Sequence, residues 1–107
     1  MNAEHRFDLT YAPQVKAHLT AIEQKYHSLI RRTIETQLQP EPDVETHNRK
    51  PLKRPSELGA EWEIRFDPEN RFRVFYAVEN KERQVLILAI GTKKGNRLVI
   101  GGEEVVL

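Results

Sequence analysis

There is no cysteine among the 107 residues of the chain. Disulfides, thiolate zinc sites and a cysteine nucleophile are therefore excluded. The four histidines are scattered at positions 5, 18, 27 and 47. No two of them stand at a metal-ligand spacing such as H-E-x-x-H, so the sequence predicts no metal and no other cofactor. Long apolar runs are missing as well. MNAEHRFDLT at the start lacks the apolar run of a secretion signal, and nothing approaches the ~20 residues of a membrane span. The expectation is a soluble cytoplasmic protein with no membrane partner. Gly91-Thr92-Lys93-Lys94-Gly95 lacks the spacing of a phosphate-binding loop, and no long helix follows it. Ser28 and Ser56 sit in no nucleophile context.

Charge is present in quantity and nearly balanced, at a net +1. Its distribution is uneven. Residues 1–46 carry five Lys/Arg against seven Asp/Glu, and residues 47–107 carry twelve against nine. The excess is sharpest in HNRKPLKR, His47 to Arg54, which holds no acid. A basic run of this kind is either a solvated loop or part of a surface for a polyanion.

The length and the lack of an internal linker predict one domain over residues 1–107. Phe7, Leu9 and Tyr11 alternate, which predicts a first short strand. Pro13 stands where a helix tolerates proline, in its first turn. Val15, Leu19, Ile22, Tyr26, Leu29 and Thr33 then recur at spacings of four and three, and Ile30, Ile34 and Leu38 widen the stripe. No Gly or Pro interrupts residues 14–39, so one long helix and two short ones remain open, although a fold-back near Gln24 to Ser28 would bury the stripe more economically. QPEPDVET ends the helical region. Trp62 to Phe66 and Phe72 to Val78 alternate as two strands around a proline-containing turn. Val85 to Ile90 is apolar without alternation, which predicts a central strand buried on both faces. Leu98 to Ile100 supplies a last short strand. The expected class is α+β, a small antiparallel sheet with helices on one face.

Strand parity then poses a problem. If Trp62, Ile64, Phe66, Phe72, Val74 and Tyr76 face the core, Arg65, Arg71 and Arg73 all go to the opposite face. Pairing Phe66 with Phe72 sets Arg65 against Arg73, and a tighter turn sets Arg65 against Arg71 instead. Like charges opposed across strands cost about 0.2–1 kcal/mol. Glu61 and Glu63 share that face and offset the loss, which gives a solvated mixed-charge surface. Alternatively the arginines await an anion, since a guanidinium fork matches two phosphate oxygens. In that case Arg65, Arg71 and Arg73 join Lys93, Lys94 and Arg97, bordered by Arg49, Lys50, Lys53 and Arg54, in a cationic groove for a nucleic-acid backbone.

The order and spacing of Asn48-Arg49-Lys50-Pro51-Leu52, Trp62 to Arg65, Arg71 to Tyr76 and Ile90 to Lys94 resemble the RelE/ParE toxins of bacterial type II toxin–antitoxin systems, over nearly the whole chain. The resemblance implies a helical hairpin on a small twisted antiparallel sheet, with the helical region folding back near Gln24 to Ser28. It implies a cognate antitoxin as partner. It also implies one of two targets: ribosome-bound messenger RNA, cut without a metal by RelE-type members, or DNA gyrase, inhibited by ParE-type members without chemistry. A degenerate member that only binds its antitoxin is a third reading. By position, Arg65 matches a basic residue of the second strand, Arg73 the phosphate-contacting arginine of the next, and Lys93 the basic position after the central strand. The chain departs from the pattern at two places. Glu63 replaces a basic residue, and is a candidate base because some relatives use a carboxylate there. Val99 or a neighbour stands where RelE-type sites carry a tyrosine.

Overall fold

The computed structural model describes residues 6–54 and 58–106. Its centre is an 11-residue strand, β5 (Gln84–Lys94), reached after β1 (Asp8–Tyr11), helix α1 (Val15–Thr20), a 3₁₀ turn at Gln24–Tyr26, helix α2 (His27–Leu38), β2 (Arg49–Pro51), β3 (Trp62–Phe66) and β4 (Phe72–Glu79). β6 (Arg97–Ile100) and β7 (Glu103–Val105) complete the chain. The strands join in one sheet in the order β2-β3-β4-β5-β6-β7, each pair antiparallel.

β1 departs from the expected all-antiparallel sheet. It lies parallel to β5, with Asp8 opposite Gln84 and Tyr11 opposite Ile87. One edge of β5 is thus shared by β1 along its first half and by β6 from Gly91 onward. The stretch between them is closed by α1. Gln14 Nε2 donates to the Leu88 carbonyl at 3.1 Å, and the Ile90 amide donates to His18 Nδ1 at 3.2 Å. Two side chains one helical turn apart therefore satisfy backbone groups that a missing strand would have taken.

The helical region divides in two, and the break falls at Ala21–Glu23, where Glu23 is extended at φ −53°, ψ 134°. Only α2 is longer than six residues, so in place of the expected helical hairpin there is a short α1 lying on β5 and a longer α2. α2 buries Ile30, Ile34 and Leu38, spaced by four along one face. A six-residue helix does not hold in water on its own. α1 depends on its seat against β5.

The expected burial of Val85–Ile90 on both faces is also corrected. Leu86 is exposed, while Val85 and Ile87 are fully buried. The pairing of β4 with β5 shifts between Phe75 and Tyr76, which face Ala89 and Ile87 and leave Leu88 as an extra residue. One inserted residue reverses the parity of everything after it. Val85, Ile87 and Ile90 consequently join the helix-side core, and Ala89 joins Phe75, Ala60 and Ile100 in a smaller apolar cluster on the other face. The missing alternation records a bulge.

The β3–β4 register sets Phe66 opposite Phe72 and Arg65 opposite Arg73. The tighter alternative is not the one adopted, and in the connecting loop Glu69 and Asn70 both occupy the left-handed region, at φ 57° and 53°. Gly101 and Gly102, at φ 62° and 84°, form the two-residue turn into β7. Two consecutive positive φ angles are what such a hairpin turn requires.

Candidate functional site

On the sheet face away from the helices, Glu63 stands between two arginines. Its Oε2 accepts from Arg73 Nη1 at 3.0 Å and its Oε1 from Arg65 Nη2 at 3.5 Å. The opposed guanidiniums are thus joined by one carboxylate. This resolves the like-charge problem and leaves the trio with a net positive charge. Burial is unequal: the Arg73 and Glu63 side chains are 12% and 13% exposed, and Arg65 is 39% exposed. Arg73 Nε also donates to the Asn70 carbonyl at 3.3 Å, which fixes the direction of its fork.

Glu63 and Arg73 form one side of a cleft of about 420 Å³. Lys93, Asn96, Arg97 and Glu104 supply the polar remainder, over apolar residues that include Phe75 and Leu98. Lys93 reaches this face because of the bulge at Leu88, and its amide donates to the Arg71 carbonyl at 2.7 Å. No ion-pair partner for Lys93 occurs among the described residues. Arg97 stands at the rim, 3.7 Å from Glu104. Arg65 does not line the cleft and reaches it through Glu63. Gly91 lies opposite Arg73, where any Cβ would come within 2.8 Å of the Ile100 side chain and 2.9 Å of the Val99 carbonyl.

The remaining candidates go elsewhere. β2 pairs Arg49 with Ile64 and Lys50 with Glu63, so parity sends Arg49 to the helix side. There it is 4% exposed. Its guanidinium donates to the carbonyls of Glu41, Val44 and Gln37 and to Gln37 Oε1. It caps the end of α2 and pins the loop that follows, so it is not offered to a nucleic acid. Tyr76 assists, donating from its hydroxyl to the Pro42 carbonyl at 2.6 Å. Burial pushes that phenol well above its ordinary value, with the Arg49 guanidinium acting in the opposite sense.

Lys50 shares the face of Glu63 but turns to Glu45 at 3.2 Å. Lys53 and Arg54 are exposed and line neither that cleft nor its counterpart on the helix side. Arg71 breaks the parity rule because it precedes β4; its guanidinium lies over the rings of Tyr26 and Phe72, on the helix side. Lys94 and Val99 also line the helix-side cleft.

Sequence reasoning missed Asn96, Glu104 and the apolar floor of the Glu63 cleft. The Gly101-Gly102 pair was the available signal, since it folds β7 back and brings Glu104 to Arg97. Among the described residues no three His, Asp or Glu side chains come together as a metal-binding set. None of the described helices is long and apolar enough to cross a membrane.

The chemistry available is specific. Each oxygen of Glu63 accepts one guanidinium N–H and keeps a further lone-pair direction for a hydroxyl. Arg73 and Lys93 supply positive charge to an anion seated beside it.

No curated protein matches the chain in sequence. In fold it is similar to a chain of the RelBE2 toxin–antitoxin complex from Mycobacterium tuberculosis, with a TM-score of 0.67 and 18% identity over 82% of this chain and 92% of that one. The likeness upholds the RelE-like fold expected from the sequence in its mixed α/β architecture and antiparallel sheet, the helical hairpin excepted. The family model of the phage-derived Gp49-like proteins matches residues 17–99. By that match, and with a RelE-type fold around its Glu63 cleft, the chain belongs to the phage-derived Gp49-like family.

Proposed function

We propose that the chain is the toxin of a type II toxin–antitoxin system and that its Glu63 cleft cuts messenger RNA in the cytoplasm, with the ribosome presenting the strand. The observation that carries this reading is the Glu63 carboxylate held at 3.0 Å by Arg73 in one cleft with Lys93, which has no ion-pair partner among the described residues. Glu63 takes the proton of a ribose 2′-hydroxyl, and the 2′-oxygen attacks the adjacent phosphorus. The bond from phosphorus to the 5′-oxygen breaks. Lys93 gives its proton to that leaving oxygen, and the products are a 2′,3′-cyclic phosphate and a 5′-hydroxyl. Arg73, with Arg65 behind Glu63, steadies the extra negative charge of the phosphorane. A disordered antitoxin segment folds onto the sheet and helices and covers the cleft.

Inducible expression followed by mapping of messenger RNA ends tests this. Codon-phased cleavage is expected. Arg73→Ala and Glu63→Gln should each lower the cleavage rate by about 10²-fold or more. Growth arrest without cleavage, unaffected by Glu63→Gln, excludes the chemistry.

One observation favours a second reading, inhibition of DNA gyrase by binding alone. RelE-type sites carry a tyrosine where this chain has Val99 or a neighbour, and among the described residues neither a tyrosine nor a histidine lines the Glu63 cleft. DNA-damage signalling in place of messenger RNA cleavage is the result that selects it.

A further inference from the structure

A second cleft, of about 400 Å³, opens on the helix side of the sheet at the far end of β5. Tyr26 and Arg71 form one wall, Lys93 and Lys94 another, and the Gly101-Gly102 turn closes it. The Arg71 guanidinium carbon lies 5.5 Å from the centre of the Tyr26 ring and 5.9 Å from that of Phe72. Its carboxylate partner is distant: Glu69, 3.9 Å away, is 87% exposed. The guanidinium thus packs against two rings that are tilted 59° to each other, and the Arg71 side chain keeps 33% of its surface exposed.

Neither Lys93 nor Lys94 has an ion-pair partner among the described residues. The acid on the rim, Glu23, is already paired with Lys25 at 3.8 Å. His18 closes the inner wall as a neutral imidazole, because its Nδ1 accepts the Ile90 amide. The cleft is thus cationic, with a guanidinium packed against aromatic rings on one side.

A phosphate satisfies ammonium groups but makes no use of an aromatic ring beside a guanidinium. A nucleotide uses both, its phosphate meeting the lysines and its base lying on Arg71. Lys93 lines this cleft and the Glu63 cleft alike. The two sites therefore meet at one residue, at the end of the sheet where a flexible strand can pass from one face to the other. We propose that the helix-side cleft binds one nucleotide of a single-stranded RNA, and that the strand crosses at Lys93 to reach the Glu63 cleft. The path of the strand rests on the RNA-cleaving reading above; the nucleotide site itself rests on Arg71, Tyr26 and Lys94.

The experiment measures binding of a fluorescent 2′-O-methyl hexanucleotide to the full chain by anisotropy, since that probe resists cleavage through the 2′-oxygen. Arg71→Ala is expected to weaken binding about fivefold or more, and Arg71→Lys should not restore it, because an ammonium offers no stacking plane. Lys94→Ala should lower the affinity and reduce the salt slope by about one unit. Tyr26→Phe, which keeps the ring, should bind like the parent. If Arg71→Ala does not fold, amide shifts of Gly101 and Gly102 on adding the probe to the parent chain report the same contact.

Affinity unchanged within twofold in both Arg71→Ala and Lys94→Ala overturns the site. So does an abasic probe that binds as tightly as the normal one, since it reduces the cleft to an anion site. Loss of cleavage in Arg73→Ala with full probe affinity in Arg71→Ala removes this inference and leaves the nuclease reading. Arg71-dependent binding by a chain that cuts no messenger RNA does the reverse.

Discussion

The two faces of the sheet put adjacent residues to different ends. On the helix side, Phe72, Val74 and Tyr76 are buried with Ile30, Ile34 and Leu38, and the charged group that enters, Arg49, is surrounded by carbonyl oxygens. On the opposite side, Arg73 alternates with those same residues. It meets a carboxylate, a bare lysine and an open cleft. The apolar cluster on that side is small, built on Phe75, Ala89, Ala60 and Ile100. One strand thus carries stability on one face and chemistry on the other. Strand geometry permits the separation because neighbouring side chains point to opposite faces.

The comparison is broken most directly at Phe72, whose ring packs 5.1 Å from Tyr26 and 5.8 Å from Phe66. Phe72→Ala should cost about 3–5 kcal/mol in urea unfolding, because a large buried ring leaves a cavity. Arg73→Ala, one residue away, should cost about 1.5–3 kcal/mol, the scale of a charge-assisted hydrogen bond. Equal losses at the two positions would erase the distinction between the faces.

Arg49 sharpens the contrast among the arginines. Arg49→Ala should destabilise by about 3 kcal/mol, since several carbonyls lose their charged donor inside the protein. Arg49→Lys should recover little of it, because one ammonium does not span the carbonyls of Glu41, Val44 and Gln37. Gly91→Ala comes next, at about 1–3 kcal/mol, because its methyl would collide with Ile100 and the Val99 backbone. Amide exchange along β6 should rise in that variant while α2 stays protected.

The smallest effect is expected at His18, the side chain that completes the edge of β5. Burial lowers its pKa below the ordinary 6.5. The unfolded chain therefore takes up the proton first as the pH falls. The stability tied to neutral His18 is complete above about pH 6.5, then declines as the pH drops through the lowered folded value. Glu23, Arg71, Lys93 and Lys94 share its cleft and are its charged surroundings. His18→Asn keeps a hydrogen-bond acceptor without a titrating group. It should therefore unfold with a flatter pH dependence between pH 7.5 and 5 than the parent chain.

Several of these positions were legible before any coordinates. Alternation in Trp62–Phe66 and Phe72–Val78 placed their apolar residues on one face, and with the Phe66–Phe72 pairing it brought Arg65 against Arg73. The same rule misplaced Arg71, which lies in the turn ahead of β4, where the strand period does not apply. It says nothing of Arg49 and Lys50, because a three-residue strand in a basic run carries no periodic signal. The helical region gave its apolar stripe but not the break at Ala21–Glu23. No glycine or proline marks that break, and the seat of α1 on β5 comes from residues more than 70 positions away.

What the sequence determined by itself is the local alphabet: strand parity, the apolar face of α2, the glycine turn into β7 and the residue types able to meet a phosphodiester. Tertiary structure alone decided which of those charges stand free. Arg49 and Lys93 are both basic and both flanked by basic neighbours, yet one caps a helix and the other lines two clefts. The bulge at Leu88 and the register of β2 against β3 made that choice. Both depend on pairing between distant segments, and a displacement of one residue along a strand is enough to turn a side chain from one face to the other.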